Sequence, residues 1–141
     1  MIRNIKHILS IFLLAAVAIS CTKDEVSMLS DVGTVIVSGI ISDQDTATPL
    51  KDITVTYKAY SSKGRLLETK TAYSSREGIY TVEAQGYTSE INCILTASDA
   101  QGSYSESQIE LNIDWNGPSF NEETNTFVVN NCNFYLKKGA K

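Results

Sequence analysis

Apolar and polar side chains alternate with a period of two along most of the chain, from Thr34 to Lys138. This alternation is typical of β-strands with one buried face. It occurs in seven windows rich in β-branched and aromatic residues, at 34–41, 53–60, 67–73, 79–84, 91–97, 109–115 and 126–138. Beyond the first 21 residues no window has helical spacing. The pattern therefore predicts an all-β fold, a single β-sandwich of about seven antiparallel strands over residues 34–138.

The first residues have a different pattern. Arg3 and Lys6 precede an apolar run of 12 residues from Ile8 to Ile19. A membrane-spanning helix needs about 20 apolar residues, so this run is too short and is typical of a secretory signal peptide. The run ends in Ala18-Ile19-Ser20-Cys21, which resembles the bacterial lipobox. The resemblance implies a signal peptide at 1–20, cleavage before Cys21, and acylation of Cys21.

Acyl chains on Cys21 would bind the protein to a membrane, because each buried methylene contributes about 0.8 kcal/mol. Ordinary secretion, with Cys21 incidental, is the alternative. Lys23-Asp24-Glu25 follow and resemble the surface-export signal of Bacteroidetes lipoproteins. This implies a surface-exposed outer-membrane lipoprotein with a flexible tether at 21–33. A charged, solvated tether without an export role would have the same sequence.

Three segments of the β-rich region, 37–43, 49–55 and 78–80, resemble the carboxypeptidase-regulatory-like domain. That resemblance implies an immunoglobulin-like or transthyretin-like sandwich, common in Bacteroidetes cell-surface proteins. Ser74-Ser75 stand where the family usually has Thr-Asp. The whole layout, with a loop at 115–117 and a terminal strand ending at Lys138, is similar to lipoproteins encoded beside a radical S-adenosylmethionine (radical SAM) enzyme. This second resemblance implies such an enzyme as a partner and no activity of the lipoprotein itself.

Composition excludes several functions. With 12 Lys and Arg against 16 Asp and Glu, the net charge is -4, and no basic cluster suits nucleic acid. The one His of the sequence, His7, lies in the signal peptide. The mature chain therefore lacks a Ser-His-Asp triad and His-containing zinc sites. It also lacks phosphate-binding glycine motifs. We expect no catalytic residue, no metal and no cofactor, although a hydrolase using carboxylates alone is a further alternative.

Cys93 and Cys132 lie on the apolar faces of their windows, in a chain whose signal directs it to an oxidising compartment. They are a candidate disulfide, which would contribute about 4 kcal/mol in the chain-entropy model. Two buried free thiols are the alternative.

Three further residues are candidates for surface chemistry. Asp45-Thr46-Ala47 resembles the O-glycosylation signal of Bacteroidetes secreted proteins, which implies a glycan on Thr46. We expect the turn that begins at Asp43 to be stabilised by its Asp side chains, with a cation site as the alternative. Trp115 and Phe120 are candidate contacts for a sugar or protein, but Trp115 also continues the face of Ile109 and could close one end of the core.

Together these features predict a non-catalytic, lipid-anchored lipoprotein of the cell envelope. Its β-sandwich would have a structural, adhesive or ligand-presenting role, with a protein or glycan as ligand. The alternative is a lipoprotein that serves as the substrate of a neighbouring radical SAM enzyme.

Overall fold

The computed structural model describes residues 32–87, 91–113 and 115–139. These residues form strands β1 (Val32–Asp43), β2 (Thr54–Ser61), β3 (Leu66–Tyr73), β4 (Ile79–Tyr87), β5 (Ile91–Ser98), β6 (Ser107–Leu111), β7 (Phe120–Asn121), β8 (Thr126–Val129) and β9 (Phe134–Leu136). They are arranged in two sheets, so the predicted all-β sandwich is confirmed. The described part of the chain contains no helix long and apolar enough to cross a bilayer. The signal peptide, Cys21 and the export signal at 23–25 lie outside the described residues.

The first sheet is built around β1. One edge of β1 pairs with β4 in antiparallel register, from Val32 opposite Tyr87 to Ile40 opposite Ile79. Its other edge pairs with β8 and then with β9, and both of these pairs are parallel. The short strand β7 extends the sheet beyond β8. The expectation of antiparallel strands throughout is therefore wrong where the first and last strands of the domain meet.

The stretch between β8 and β9 has one residue more than the matching part of β1, an irregularity that we call the bulge. Val35 lies opposite Phe127 and Ile41 opposite Phe134, so seven residues of β1 (35–41) face eight residues of the C-terminal segment (127–134). Asn131 takes up the extra residue with a left-handed φ of 58°. The bulge reverses which side chains point inward. An unbroken alternation over 126–138 would place Val128 on the same face as Cys132, Phe134 and Leu136, but the buried side chain is that of Phe127, and Val128 pairs with the outward-facing Ile36.

The second sheet has the order β3-β2-β5-β6, and its pairs are antiparallel. The predicted alternation holds here. Val55, Tyr57 and Ala59 of β2 are fully buried, whereas Thr54 and Thr56 alternate with them on the outer face. In the same way, Cys93, Leu95 and Ala97 of β5 are buried. The core lies between the two sheets and draws side chains from both.

Two glycines fit positions where a side chain would not. Gly78 has a φ of 75° in the turn before β4, and a Cβ there would clash with the carbonyl oxygen of Ile41. A Cβ at Gly39 would clash with the carbonyl of Cys132. Gly39 thus lets the bulge of the last strand approach β1 closely.

Candidate binding groove

A groove of about 410 Å³ runs over the outer face of the second sheet. It is lined by side chains of β2, β5 and β6 and by the turn after β5: Thr54, Thr56, Lys58, Tyr60, Ile94, Thr96, Ser98, Ala100, Glu106 and Gln108. Outward positions of a strand recur every second residue, so the even-numbered residues of β2 and β5 share this face. The groove is therefore a direct result of the alternation that builds the core on the other face.

The register of the sheet brings hydroxyl groups into rows. Thr54 lies opposite Ser98, and Thr56 opposite Thr96. Gln108 of β6 lies opposite Thr96 and extends that row by an amide. Directly opposed residues have Cβ atoms about 4.5 to 5.5 Å apart. The groove thus presents closely spaced groups that can both donate and accept hydrogen bonds.

These polar side chains have no hydrogen-bond partner among the described residues. Hydroxyls elsewhere in the domain are engaged: Ser74 Oγ donates to the carbonyl of Leu50 at 2.6 Å, and Ser38 Oγ to Asn130 Oδ1 at 3.1 Å. By contrast, the hydroxyls of Thr54, Thr56 and Thr96, on half-buried side chains of the outer face, have no such partner in the part of the chain that the structure describes. They contribute nothing to the internal hydrogen bonding of the domain and are available to a ligand.

The loops at one end of the groove are joined by Asp43 and Asp99. Oδ1 of Asp43 accepts the backbone N–H of Asp45 at 2.8 Å, and Oδ2 accepts the Tyr104 hydroxyl at 2.9 Å. Asp99 Oδ2 accepts the backbone N–H groups of Ser103 and Tyr104. The N–H of Asp45 and the hydroxyl of Tyr104 hold the pKa of Asp43 below its usual value. The Asp side chain stabilises the turn, as expected. In the three described ranges no three His, Cys, Asp or Glu side chains lie together as a metal site would require.

Thr46 lies in the exposed turn that Asp43 stabilises. Its hydroxyl donates to Thr48 Oγ1 at 2.9 Å, and its backbone N–H donates to Asp43 Oδ1. The position leaves Thr46 open to an enzyme from outside. Its glycosylation stays a prediction.

The structure brings Trp115 and Phe120 together, but it packs both against the core. Their rings meet edge to face at 5.1 Å, and Phe127 lies 5.9 Å from the indole. Gly33 and Gly86, paired between β1 and β4, leave the space that the indole fills, since a Cβ at Gly86 would lie 2.6 Å from it. The indole N–H is buried and has no acceptor among the described residues. This supports the interpretation of Trp115 as the plug at one end of the core rather than as a ligand contact.

The thiols of Cys93 and Cys132 are buried and free, so the candidate disulfide is not formed. Cys93 lies in the second sheet, where its Sγ is 3.1 Å from the Tyr57 hydroxyl. Burial raises the pKa of the Cys93 thiol. Cys132 lies in the bulge beside β1, in the first sheet, and its backbone N–H bonds the carbonyl of Ser38. Each cysteine is thus fixed in its own sheet.

The groove lies on a sheet face, whereas the candidate ligand contacts predicted from the sequence, Trp115 and Phe120, lie elsewhere and line no part of it. The hydroxyl-bearing residues of the groove are visible in the sequence as the polar positions of two alternating windows, Thr54 and Thr56 in β2 and Thr96 and Ser98 in β5. What the sequence lacked was the pairing of these strands, which places the two halves side by side.

No protein-family model matches the chain, and no curated protein matches it. Among solved structures, 3-chlorocatechol 1,2-dioxygenase from Rhodococcus opacus 1CP is similar with a TM-score of 0.52 at 14% identity, over 76% of this chain and 60% of the dioxygenase. The pilus 2b backbone protein of group B streptococcus has a TM-score of 0.46 at 15% identity, over 77% of this chain and 42% of that protein. This chain thus spans less than two thirds of either protein. At such identities the likeness to the dioxygenase shows a shared β-sandwich fold alone.

Proposed function

We propose that this protein is a non-catalytic, lipid-anchored lipoprotein of the outer membrane whose β-sandwich binds an external ligand. The observation that carries the proposal is the groove of unpaired polar side chains on the outer face of the second sheet. Cys21 would supply the anchor, and the export signal at 23–25 would place the domain on the cell surface.

The surroundings of the acidic side chains support a role without catalysis. A hydrolase that uses carboxylates alone needs one carboxyl as the acid and a second as the base or nucleophile, with the pKa of the acid raised into the working range. Asp43 is the buried carboxylate of the described domain, and its hydrogen bonds lower its pKa. In those bonds Asp43 Oδ1 accepts backbone N–H groups of the turn at 43–48. The Asp43 carboxylate is therefore suited to stabilising this turn and not to transferring a proton.

The anchor is tested by Cys21→Ala in the native host, followed by separation of membrane and soluble fractions. We expect the wild-type chain in the membrane fraction and the variant in the soluble fraction, because the variant has no thiol to acylate. A variant that stays with the membrane would contradict the proposal. Replacing 23–25 by alanine in the acylated protein should leave it in the membrane but protect it from protease added to intact cells.

Modification by a neighbouring radical SAM enzyme stays a prediction from the sequence. The test is to compare the measured intact mass of the native protein with the mass calculated for the mature chain plus its acyl chains and a glycan on Thr46. The mass lost in the Thr46→Ala variant identifies the glycan. Any mass that is still unexplained would favour the radical-enzyme alternative.

A further inference from the structure

We propose that the groove of the second sheet binds an extended, neutral carbohydrate chain. This inference rests on the proposed ligand-binding function and names the class of ligand. It follows from the shape of the groove, the chemistry of its walls, its charge and the pairing of the strands beneath it.

The shape suits a chain and not a compact small molecule. The groove follows β2 from Thr54 to Tyr60, and at about 3.3 Å per residue these positions are roughly 20 Å apart. It lies open on a sheet face and is not closed over by a loop, since its walls are strand side chains and the turn at Ala100. A linear oligosaccharide can lie along such a surface and contact it through successive rings.

The walls match the hydroxyl groups of a sugar. Thr56, Thr96 and Gln108 form one row across the sheet, and each side chain can donate and accept hydrogen bonds. Threonine is β-branched and stiff at χ1, so few rotamers are lost when a ligand binds. The rows therefore present a largely preformed set of partners for hydroxyl groups.

An aromatic ring lies at the far end of the groove. Tyr60 is half-buried, and its ring offers the groove an apolar body with a polar tip. Ile94, opposite Lys58, adds apolar surface to the floor beside it. The C–H face of a pyranose ring can pack on this apolar surface while its hydroxyls face the threonines.

Charge and strand pairing argue against other polymers. The groove holds one cation, Lys58, and one anion, Glu106, so it offers a polyanion no net attraction. An extended peptide usually binds by adding a strand to a free sheet edge. Here β2 pairs with β3 and β5, and β5 pairs with β2 and β6, so the two strands that supply most of the groove are paired on both edges. A peptide added to the free edge of β6 would lie beside the sheet and not on the face that forms the groove. Recognition within the groove must therefore come from side chains, as it does for a sugar.

The test uses the full acylated chain, purified in a detergent without a sugar headgroup and applied to an array of neutral and acidic glycans. Titration of the best neutral glycan then compares the wild type with Thr56→Val/Thr96→Val, which removes two hydroxyls and keeps side-chain shape. We expect binding to weaken by about tenfold or more, because two hydrogen bonds to the ligand are lost. Tyr60→Ala should weaken it further. Thr81→Val, at an outward position of β4 in the first sheet, is the matched control and should bind as the wild type.

Either of two results with the glycans would overturn the inference: no neutral glycan binds, or a glycan binds equally well to the wild type and the double variant. Binding of an extended peptide that the double variant abolishes would also overturn it, yet the proposed ligand-binding function would stand. Loss of the membrane anchor is read separately in the Cys21→Ala fractionation. Unchanged near-ultraviolet circular dichroism of the double variant shows that a loss of binding is not a loss of fold.

Discussion

At the scale of single residues, Tyr104 holds together the loops beside one end of the groove. Its hydroxyl donates to Asp43 in the turn after β1, and its backbone N–H donates to Asp99 in the turn after β5. Ala100 of that second turn lines the groove. A contact within the loops thus fixes the position of a wall of the candidate site.

We predict that Tyr104→Phe lowers the midpoint of urea denaturation at neutral pH, because the ring stays and the hydrogen bond to the Asp43 carboxylate is lost. Asp43 has a pKa below its usual 3.8 in the folded state. Its stabilisation is therefore complete above that pH and is lost as the pH falls through the lower, folded pKa. The difference between wild type and variant should shrink in strongly acidic buffer.

The control for this prediction is Tyr135→Phe, which removes the hydroxyl of a tyrosine that is 62% exposed. It should denature as the wild type at both pH values. A Tyr104→Phe deficit that is as large in acid as at neutral pH would contradict the role of the ionised Asp43. In that case the ring environment, and not the charge-assisted hydrogen bond, would account for the effect.

At the scale of the strand, what is local could be predicted from the sequence. The inward faces of β2, β4 and β5 follow the alternation predicted for their own windows, with Val55, Tyr80 and Leu95 buried. This works because side chains of a strand change face at every residue, whatever the strand pairs with. The Asp-stabilised turn at Asp43 was equally local.

Features set by the pairing of strands that are distant in the sequence could not be predicted. The pattern of the last strand holds no mark of the bulge, because the extra residue exists only relative to β1, about 90 positions earlier. The groove was missed for the same reason. Thr56 and Thr96 each look like an ordinary solvent-facing residue until the register of β2 and β5 places them opposite each other.

The bulge itself leads to a prediction about Asn131. Its left-handed φ of 58° is unfavourable for a β-branched side chain, so Asn131→Val should lower the free energy of unfolding by about 1 to 2 kcal/mol. Asn131→Gly should be close to neutral, because glycine adopts this φ without steric cost. Urea denaturation of the two variants measures both effects. Equal stability of the valine and glycine variants would show that the bulge can rearrange.

At the scale of the whole domain, the two ends of the described chain complete one sheet. β1 lies between β4 and the last strands, so one edge of β1 is covered only when residues 126–136 are in place. Those strands also deliver large buried side chains, with Phe134 1% and Leu136 0% exposed. Contacts so distant in sequence are formed at a high entropic cost, which is typical of slowly folding β-sandwiches. The C-terminal strands β8 and β9 are therefore an integral part of the first sheet and of the core.

We accordingly predict that a chain ending at Asn125 does not fold. It lacks the buried side chains of Phe127, Phe134 and Leu136, each of which contributes about 1.5 to 3 kcal/mol when buried. Their sum is comparable to the whole stability of an ordinary domain, about 5 to 15 kcal/mol. Limited proteolysis should degrade the truncated chain under conditions that leave the full chain intact.

Point variants of β9 in the full chain test the same idea. Leu136→Ala should lower the free energy of unfolding by about 2 to 5 kcal/mol, whereas Tyr135→Ala, on the outward face of the same strand, should change it by about 0.5 kcal/mol or less. A protease-resistant truncated chain would instead mean that the second sheet and its groove form independently of the last strands.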